Sequence, residues 1–238
     1  MNKLHQAYIS SFLGREHMSP AFFEAIEDLY NRPEVQGLSI YEQHLDIDRL
    51  QHITSVAYIS FLTCRRLGLD YRTAARGAIL HDLFYYDWRE KDSSHRPHGY
   101  LHPGFALKNA RELTTLSKME EDIIIKHMWP LTIRPPRYRE SFIVSMADKY
   151  CATWELILSL IPKQAKSIRK SSAGIWKHKT SLDILAAPRP HIVAAGVRKD
   201  GHKRGADDTN VRSLFFLLQR GWMADGIDLL LARQTQMD

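Results

Sequence analysis

The segment Ala78-Ile79-Leu80-His81-Asp82-Leu83-Phe84 contains a histidine and an aspartate inside an otherwise apolar stretch. Upstream, apolar residues recur at helical spacing and predict a helix from about Tyr71 to Phe84, with Asp70 as its N-cap. Burying an ionisable side chain is costly unless it is paired or bound to a metal. The segment therefore predicts a buried helix that ends in a metal-bound or hydrogen-bonded His81-Asp82 pair.

The rest of the first 160 residues predicts further helices, because apolar residues recur at intervals of three and four. Pro20 after Ser19 is typical of a helix start, and Gly68 of a helix end. No alternating strand pattern is present in this part. We therefore predict an all-α fold for residues 1–160, a helical bundle. The predicted helices span about residues 20–30, 47–67, 71–84, 103–113, 117–128 and 138–160, with a polar loop over 85–100.

Residues 161–238 differ in composition from the residues before them. They contain 14 Lys and Arg, 7 Asp and no Glu, so the net charge of +6 belongs to this segment. Apolar periodicity also fades, and we predict a separate, poorly ordered or loosely attached basic segment. A phosphate-binding arm and a change of reading frame remain alternatives. No aromatic residues interleave with the basic cluster between Arg198 and Arg204, which argues against nucleic acid as a partner.

Membrane insertion and secretion are not expected from this sequence. No run approaches the roughly 18–20 apolar residues of a membrane-spanning helix, and the N-terminus lacks the pattern of a secretory signal. The two cysteines, Cys64 and Cys151, lie far apart and form no zinc-binding spacing. Two thiols in 238 residues indicate a reducing compartment. We expect a cytoplasmic protein without a membrane partner, and the sequence leaves its oligomeric state open.

Three further positions repeat the pattern of one ionisable side chain on an apolar helix. His52 lies inside a predicted helix, His127 follows three consecutive isoleucines, and Asp148 follows the apolar stretch that begins at Ile143. Each of them alone is more readily explained as a hydrogen-bonded core residue. Together with His81-Asp82 they predict a metal site in the core of the bundle. Imidazole and carboxylate ligands favour Mn, Fe, Co, Ni or Zn over Ca.

Apart from these three histidines and His102, the other eight lie in polar or terminal surroundings, where an exposed or hydrogen-bonded side chain is the expected role. A site role stays open for two of them. His44 precedes Asp48 and His52 at intervals of four residues, so the three could share one helical face. His98 lies in the predicted loop just before His102.

The segments Leu50–Tyr58, Leu67–Asp70 and Ala78–Phe84 resemble the HD superfamily of metal-dependent phosphohydrolases. The family is named for an adjacent His-Asp pair, here His81-Asp82. Its ordered signature also needs an earlier His and a later Asp, which match His52 and Asp148. The resemblance covers residues 40–155 and does not extend to 161–238.

By this resemblance, the chain binds two divalent transition-metal ions, with Mn, Fe and Co as candidates. Asp82 would bridge the two ions, and Asp82 and His81 would form the catalytic centre. Two such cations would convert a shared water to hydroxide at neutral pH and neutralise phosphate oxygens. The first ion would be held by His52, His81, Asp82 and Asp148, and the second by Asp82, His102 and His127.

The implied function is hydrolysis of a phosphomonoester or phosphodiester, with a small phosphorylated substrate such as a nucleotide. The same ligand set occurs in di-iron oxygenases that resemble myo-inositol oxygenase, and a non-catalytic helical binding module is a third alternative. Lys126, Lys149 and Arg137 are either phosphate contacts or surface residues. Asp87 either orients the nucleophile or a ligand, or caps the loop. Binuclear relatives often have a lysine soon after the His-Asp pair, and this chain lacks it.

Truncation after Lys163 tests the predicted boundary near residue 160. If the basic segment is not part of the core, the shortened chain should keep its metal content and its unfolding temperature nearly unchanged. Both are measurable on the purified protein by elemental analysis and thermal denaturation. Unfolding of the truncated chain, or loss of its metal, would show that the segment belongs to the core.

Overall fold

The computed structural model describes residues 3–44, 47–90, 94 and 96–160. In this part of the chain most residues are helical, which confirms the predicted all-α fold. The prediction for residues 161–238 lies outside the described residues. Two short 3-10 helices, Arg15–His17 and Gly37–Ile40, connect longer elements. The α-helices are α1 Lys3–Leu13, α2 Pro20–Tyr30, α3 Pro33–Gln36, α4 Arg49–Arg66, α5 Tyr71–Leu80, α6 His98–Leu113, α7 Lys118–Lys126 and α8 Arg139–Leu160.

A short antiparallel ribbon, which the sequence did not predict, precedes α4. Its strands are β1, Glu42–His44, and β2, Ile47–Asp48, with Glu42 paired to Asp48. Two and three residues are too few for an alternating pattern to stand out. Asp48 is the N-cap of α4, where its side chain accepts a hydrogen bond from the amide of Gln51. His44 and Asp48 therefore lie before the helix and do not share a helical face with His52.

The observed helix bounds correct two of the predicted ones around the candidate metal ligands. Asp70 caps α5 as predicted, accepting a hydrogen bond from the amide of Thr73. However, α5 ends at Leu80, so His81 and Asp82 lie in the turn that follows it. Helix α6 begins at His98, five residues earlier than predicted, and it contains Pro103.

Helix α4 is the centre of the core, and it packs against α1, α5 and α8. Residues on every face of α4 are buried, including polar ones such as Thr54 and Ser60. The aromatic ring of Phe22 from α2 meets Tyr58 and Phe61 of α4 edge to face, at centroid distances of 5.1 and 5.5 Å. Cys64 and Cys151 are buried free thiols. Among the described residues no helix has the length and apolarity needed to cross a bilayer.

Helices α5 and α7 approach closely at Gly77. A Cβ atom at Gly77 would lie 2.7 Å from Cδ1 of Ile123 and 3.1 Å from its Cβ, and an isoleucine Cβ cannot move away without its backbone. A few residues later each helix is followed by its C-cap residue, His81 and His127, and the rings of these two meet at a centroid distance of 4.8 Å. The absence of a side chain at Gly77 thus allows these two histidines to meet.

Replacement of Gly77 by alanine should destabilise the protein, whereas the same change at Gly104 should not. Gly77→Ala forces α5 and α7 apart, at a cost of about 1–3 kcal/mol for overpacking. Gly104 is an exposed residue of α6 whose added Cβ would meet nothing within 4 Å, so Gly104→Ala should stabilise by up to about 1 kcal/mol through helix propensity. Thermal denaturation of both variants measures the difference. A Gly77→Ala variant as stable as the wild type would show that the contact is not tight.

Candidate metal centre

Five helices bring the six predicted ligands to one place inside the bundle. Each of the six residues is buried, and none is more than 9% exposed as a whole residue. The predicted ligand set therefore converges, although its metal binding remains a prediction. His52 lies near the start of α4, His81 and Asp82 directly follow α5, His102 lies in the second turn of α6, His127 directly follows α7, and Asp148 lies in the middle of α8.

The first group of ligand atoms surrounds Asp148. Its Oδ1 atom lies 3.2 Å from Nε2 of His52 and 3.7 Å from Nε2 of His81. One donor atom from each of these three side chains lies within 4.8 Å of the others. This spacing suits three ligands of one ion.

The second group surrounds Asp82. Its Oδ1 atom lies 3.3 Å from Nε2 of His102 and 3.5 Å from Nε2 of His127. Its Oδ2 atom lies 3.8 Å from Nε2 of His81, which belongs to the first group. The two oxygens of Asp82 thus face different groups, as a bridging carboxylate requires.

The four imidazoles all direct Nε2 towards the site, because Nδ1 of each is occupied elsewhere. His81, His102 and His127 donate from Nδ1 to the backbone carbonyl oxygens of Ala78, His98 and Ile124, at 2.7–2.9 Å. His52 donates from Nδ1 to the carboxylate of Glu155. A carbonyl can only accept, so Nδ1 carries the hydrogen and Nε2 is left as the donor to a metal. Metal-binding histidines in proteins have this arrangement.

Two of these carbonyl bonds also explain where α5 and α7 end. The carbonyl of Ala78 would accept the amide of Asp82 if α5 continued, but Nδ1 of His81 takes that position. At the end of α7, Nδ1 of His127 likewise occupies the carbonyl oxygen of Ile124. Each histidine is thus the C-cap of its helix.

Several atoms of the site lack a protein partner, which makes a cation a good fit. Nε2 of His81 and Oδ1 of Asp82 are buried, and neither has a hydrogen-bond partner in the described part of the chain. Nε2 of His102 lies only 2.7 Å from Nε2 of His127. Two lone pairs at this distance repel each other unless a proton or a cation lies between them. The nitrogen and oxygen donors suit a divalent transition metal.

Burial and mutual proximity shift the pKa values of the site side chains. Burial by itself would raise the pKa of Asp82 and of Asp148. The neighbouring histidines outweigh it and hold both pKa values well below their ordinary range. The pKa of His127 lies well below its usual value because of burial, to which His102 and His81 add. The carboxylates are therefore ionised and His127 is neutral, and these are the forms that bind metals.

Gln43 and Arg49 support Asp82, and no sequence pattern indicated either residue. Nε2 of Gln43 donates to Oδ2 of Asp82 at 2.8 Å, and Oε1 of Gln43 accepts from Nε of Arg49 at 2.9 Å. Arginine can only donate, so it fixes which end of the amide faces Asp82. The Arg49 guanidinium is itself held by the carbonyl of Phe84 at 2.6 Å and stacks on the ring of that residue.

Glu155 is the third supporting residue that sequence reasoning missed. Its carboxylate oxygens lie 2.9 and 3.0 Å from Nδ1 of His52, and its side chain is fully buried. Burial would lower the pKa of His52, but Glu155 and Asp148 outweigh it and raise that pKa well above its usual value. Glu155 follows Asp148 by seven residues, or two helical turns, and this spacing is a signal that could have identified it.

The structure settles the alternatives for two charged residues near the ligands. Lys149 is buried and donates to the carbonyls of His127 and Ser145, at 2.7 and 3.2 Å, so it is neither a surface residue nor a free phosphate contact. Asp87 accepts hydrogen bonds from the backbone and the side chain of Arg89, as a loop cap does.

Lys126 and Arg137 lie at the protein surface rather than among the buried ligands. Lys126 is partly exposed, donates to the carbonyl of Pro135 and pairs with Asp122 at 3.4 Å. Arg137 is exposed.

His98 lies beside the candidate site. Its ring stacks on the ring of His102 with a centroid distance of 4.4 Å, and its Nδ1 atom lies 3.1 Å from the hydroxyl of Tyr86. His102 is thus held inside a helix and against a second ring, rather than at a loop edge.

Comparison of the chain with protein-family models, with curated proteins and with solved structures gives no match.

Removal of His102 and His127 should change the number of bound metals. A His102→Ala, His127→Ala double variant should hold close to one ion per chain in place of about two, and activity should be lost even at saturating substrate. If these histidines instead contact only the substrate, the stoichiometry should stay unchanged and KM should rise. Elemental analysis of identically prepared proteins decides whether the two histidines are metal ligands or substrate contacts. His17→Ala, which removes an exposed histidine, is the matched control.

Proposed function

We propose that this chain is a metal-dependent phosphohydrolase of the HD type, which cleaves a phosphomonoester or a phosphodiester. The observation that supports it most is the pair of unpartnered buried atoms, Nε2 of His81 and Oδ1 of Asp82. Both lie among histidine donors whose second nitrogens are already hydrogen-bonded. A protein that used this cluster only for stability would be expected to pair these atoms with each other or with the backbone.

The charge of the cluster favours an anionic substrate. Four imidazoles contribute no negative charge when they bind metals, and two carboxylates would offset only half the charge of two divalent cations. Behind the ligands lie two buried cationic side chains, Arg49 and Lys149, and one buried carboxylate, Glu155, so these side chains do not reverse the positive balance. Such a centre favours a phosphate ester and the negative charge that develops during its hydrolysis.

The protein side chains would act in this reaction by holding and orienting the centre. When bound, the cations would supply a water of lowered pKa and neutralise phosphate oxygens. Asp82 would link the two groups of ligands, because its two oxygens face different histidines. Gln43 keeps the Asp82 carboxylate from rotating, since it donates to Oδ2 and is itself held by Arg49.

Hydrolysis adds the elements of water across the P–O ester bond. The water oxygen joins phosphorus, and the departing alcohol keeps its oxygen and takes up a proton. No electrons are transferred, so no oxidant is needed. An oxygenase of the same ligand set would consume O2 and depend on iron, and this difference is measurable.

Replacement of Asp82 tests the proposal. Purified wild-type protein with Mn²⁺ or Co²⁺ should hydrolyse an aryl phosphate, an aryl phosphodiester or a nucleotide from a panel of such esters. Asp82→Asn keeps the shape of the side chain but removes its charge. Its activity should fall by more than about 100-fold, because even residues that only support metal ligands contribute 10–100-fold.

Asp87→Asn is the matched control, since Asp87 is in the following loop and bonds to Arg89. Its turnover should stay close to that of the wild type. Unchanged turnover in a well-folded Asp82→Asn variant would overturn the proposal. Iron-dependent consumption of O2 without phosphate release would identify the oxygenase instead.

A further inference from the structure

We propose that Glu155 makes the metal position at His52 the tighter of two unequal positions, so that the centre fills in order. The inference rests on the proposed function in one respect, namely that the site binds two metal ions. It assigns a positioning role to a residue that does not itself face the ions. Glu155 would affect the order in which the metal ions bind, whatever the substrate is.

Glu155 holds His52 from the side opposite to the site. Both of its oxygens lie within 3.0 Å of Nδ1 of His52, and its side chain is fully buried. On the other side of the same ring, Nε2 lies 3.2 Å from Oδ1 of Asp148. The imidazole is thus bracketed by two carboxylates that lie two turns apart on one face of α8.

The other three histidines have a weaker kind of support. Each donates from Nδ1 to a neutral backbone carbonyl, three or four residues earlier in its own segment. A hydrogen bond to an ionised acceptor is roughly twice as strong as one between neutral groups. A carboxylate behind the ring also makes the opposite nitrogen a better electron donor to a metal. Among the four imidazoles in their neutral form, His52 should therefore bind a cation most strongly.

The carboxylates are also unevenly divided between the two groups. Asp148 lies in the group of His52 and His81, whereas Asp82 is shared between that group and the group of His102 and His127. The first position thus combines two carboxylates with the histidine that Glu155 supports. The second has one shared carboxylate and two histidines held by carbonyls. We expect the second ion to exchange more readily, so that activity follows the free metal concentration.

A metal titration tests this inference without any assay of activity. Metal-free wild-type protein is titrated with Co²⁺ in competition with a chromophoric chelator, which should resolve a tight step and a weaker step. Glu155→Gln keeps an oxygen that accepts from Nδ1 but removes the charge. It should weaken the tight step by about 10–100-fold and leave the weaker step nearly unchanged. Glu155→Asp keeps the charge but withdraws it from the ring, and it should weaken the tight step as well.

Glu140→Gln is the matched control. Glu140 is a second buried glutamate of α8, and it accepts a hydrogen bond from the amide of Asp70 at 3.1 Å, away from the ligands. The Glu140→Gln change should lower the unfolding temperature of the metal-free protein without changing the ratio of the affinities of the tight and weaker metal-binding steps. A change of that ratio confined to the Glu155 variants separates positioning of the metal from a general effect on stability.

Failure of the proposed function and failure of the role of Glu155 give different results in this titration. If the wild type binds no Co²⁺, the metal centre and the proposed function both fail. If the wild type binds two ions but a folded Glu155 variant keeps the wild-type tight step, only the role of Glu155 is overturned. Two steps of equal affinity in the wild type would overturn the ordered filling.

Discussion

The burial of six ionisable side chains in one helical core is the constraint on which the rest of the structure depends. A buried charge or an unpaired imidazole costs several kcal/mol unless it has a partner. The chain supplies partners for most of these groups: Gln43 and Arg49 behind Asp82, Glu155 behind His52, and backbone carbonyls behind the other histidines. The partners occupy the outward-facing atoms and leave the inward-facing ones directed into the candidate centre. The stability of the core and the composition of the candidate centre are therefore determined by the same hydrogen bonds.

The sequence predicted five of the six ligands because each of them interrupts an apolar stretch, which is visible without knowledge of the fold, whereas His102 was assigned only by the resemblance to the HD superfamily. His52, His127 and Asp148 were found in this way, and the structure brings them together with His81 and Asp82. Helix bounds were predicted less well for a physical reason. Apolar residues continue past Leu80, so periodicity extends the helix, but the side chain of His81 takes the carbonyl that would continue it. Side-chain competition of this kind leaves no trace in a pattern of apolar residues.

The supporting residues were not predicted from the sequence, since their partners are distant along the chain. Gln43 bonds to a residue 39 positions away, and Glu155 to one 103 positions away. A buried glutamine on a short strand has no sequence signature of its own, and the spacing of Glu155 from Asp148 is a signal only when Asp148 is taken to face the site. The burial of Lys149 was likewise not predicted from the sequence. It was assigned to the surface or to phosphate, yet it is buried and donates to the carbonyl of His127 and so connects α8 to the end of α7.

The histidines of the candidate centre are supported in two ways, by a nearby backbone carbonyl or by a carboxylate from another helix. A histidine held by a nearby carbonyl, as His81 and His127 are, needs only the end of its own helix. His52 needs a carboxylate from α8, which is the last described helix of the chain. Helix α8 contributes Asp148 to the ligands, Glu155 to the support of His52 and Lys149 to the turn at His127. Without α8 the helix-end histidines would still cap their helices and keep Asp82 beside them, but the candidate centre would lack the Asp148 carboxylate and the support of His52 by Glu155. The packing of α8 against α4 and α7 therefore completes the candidate centre.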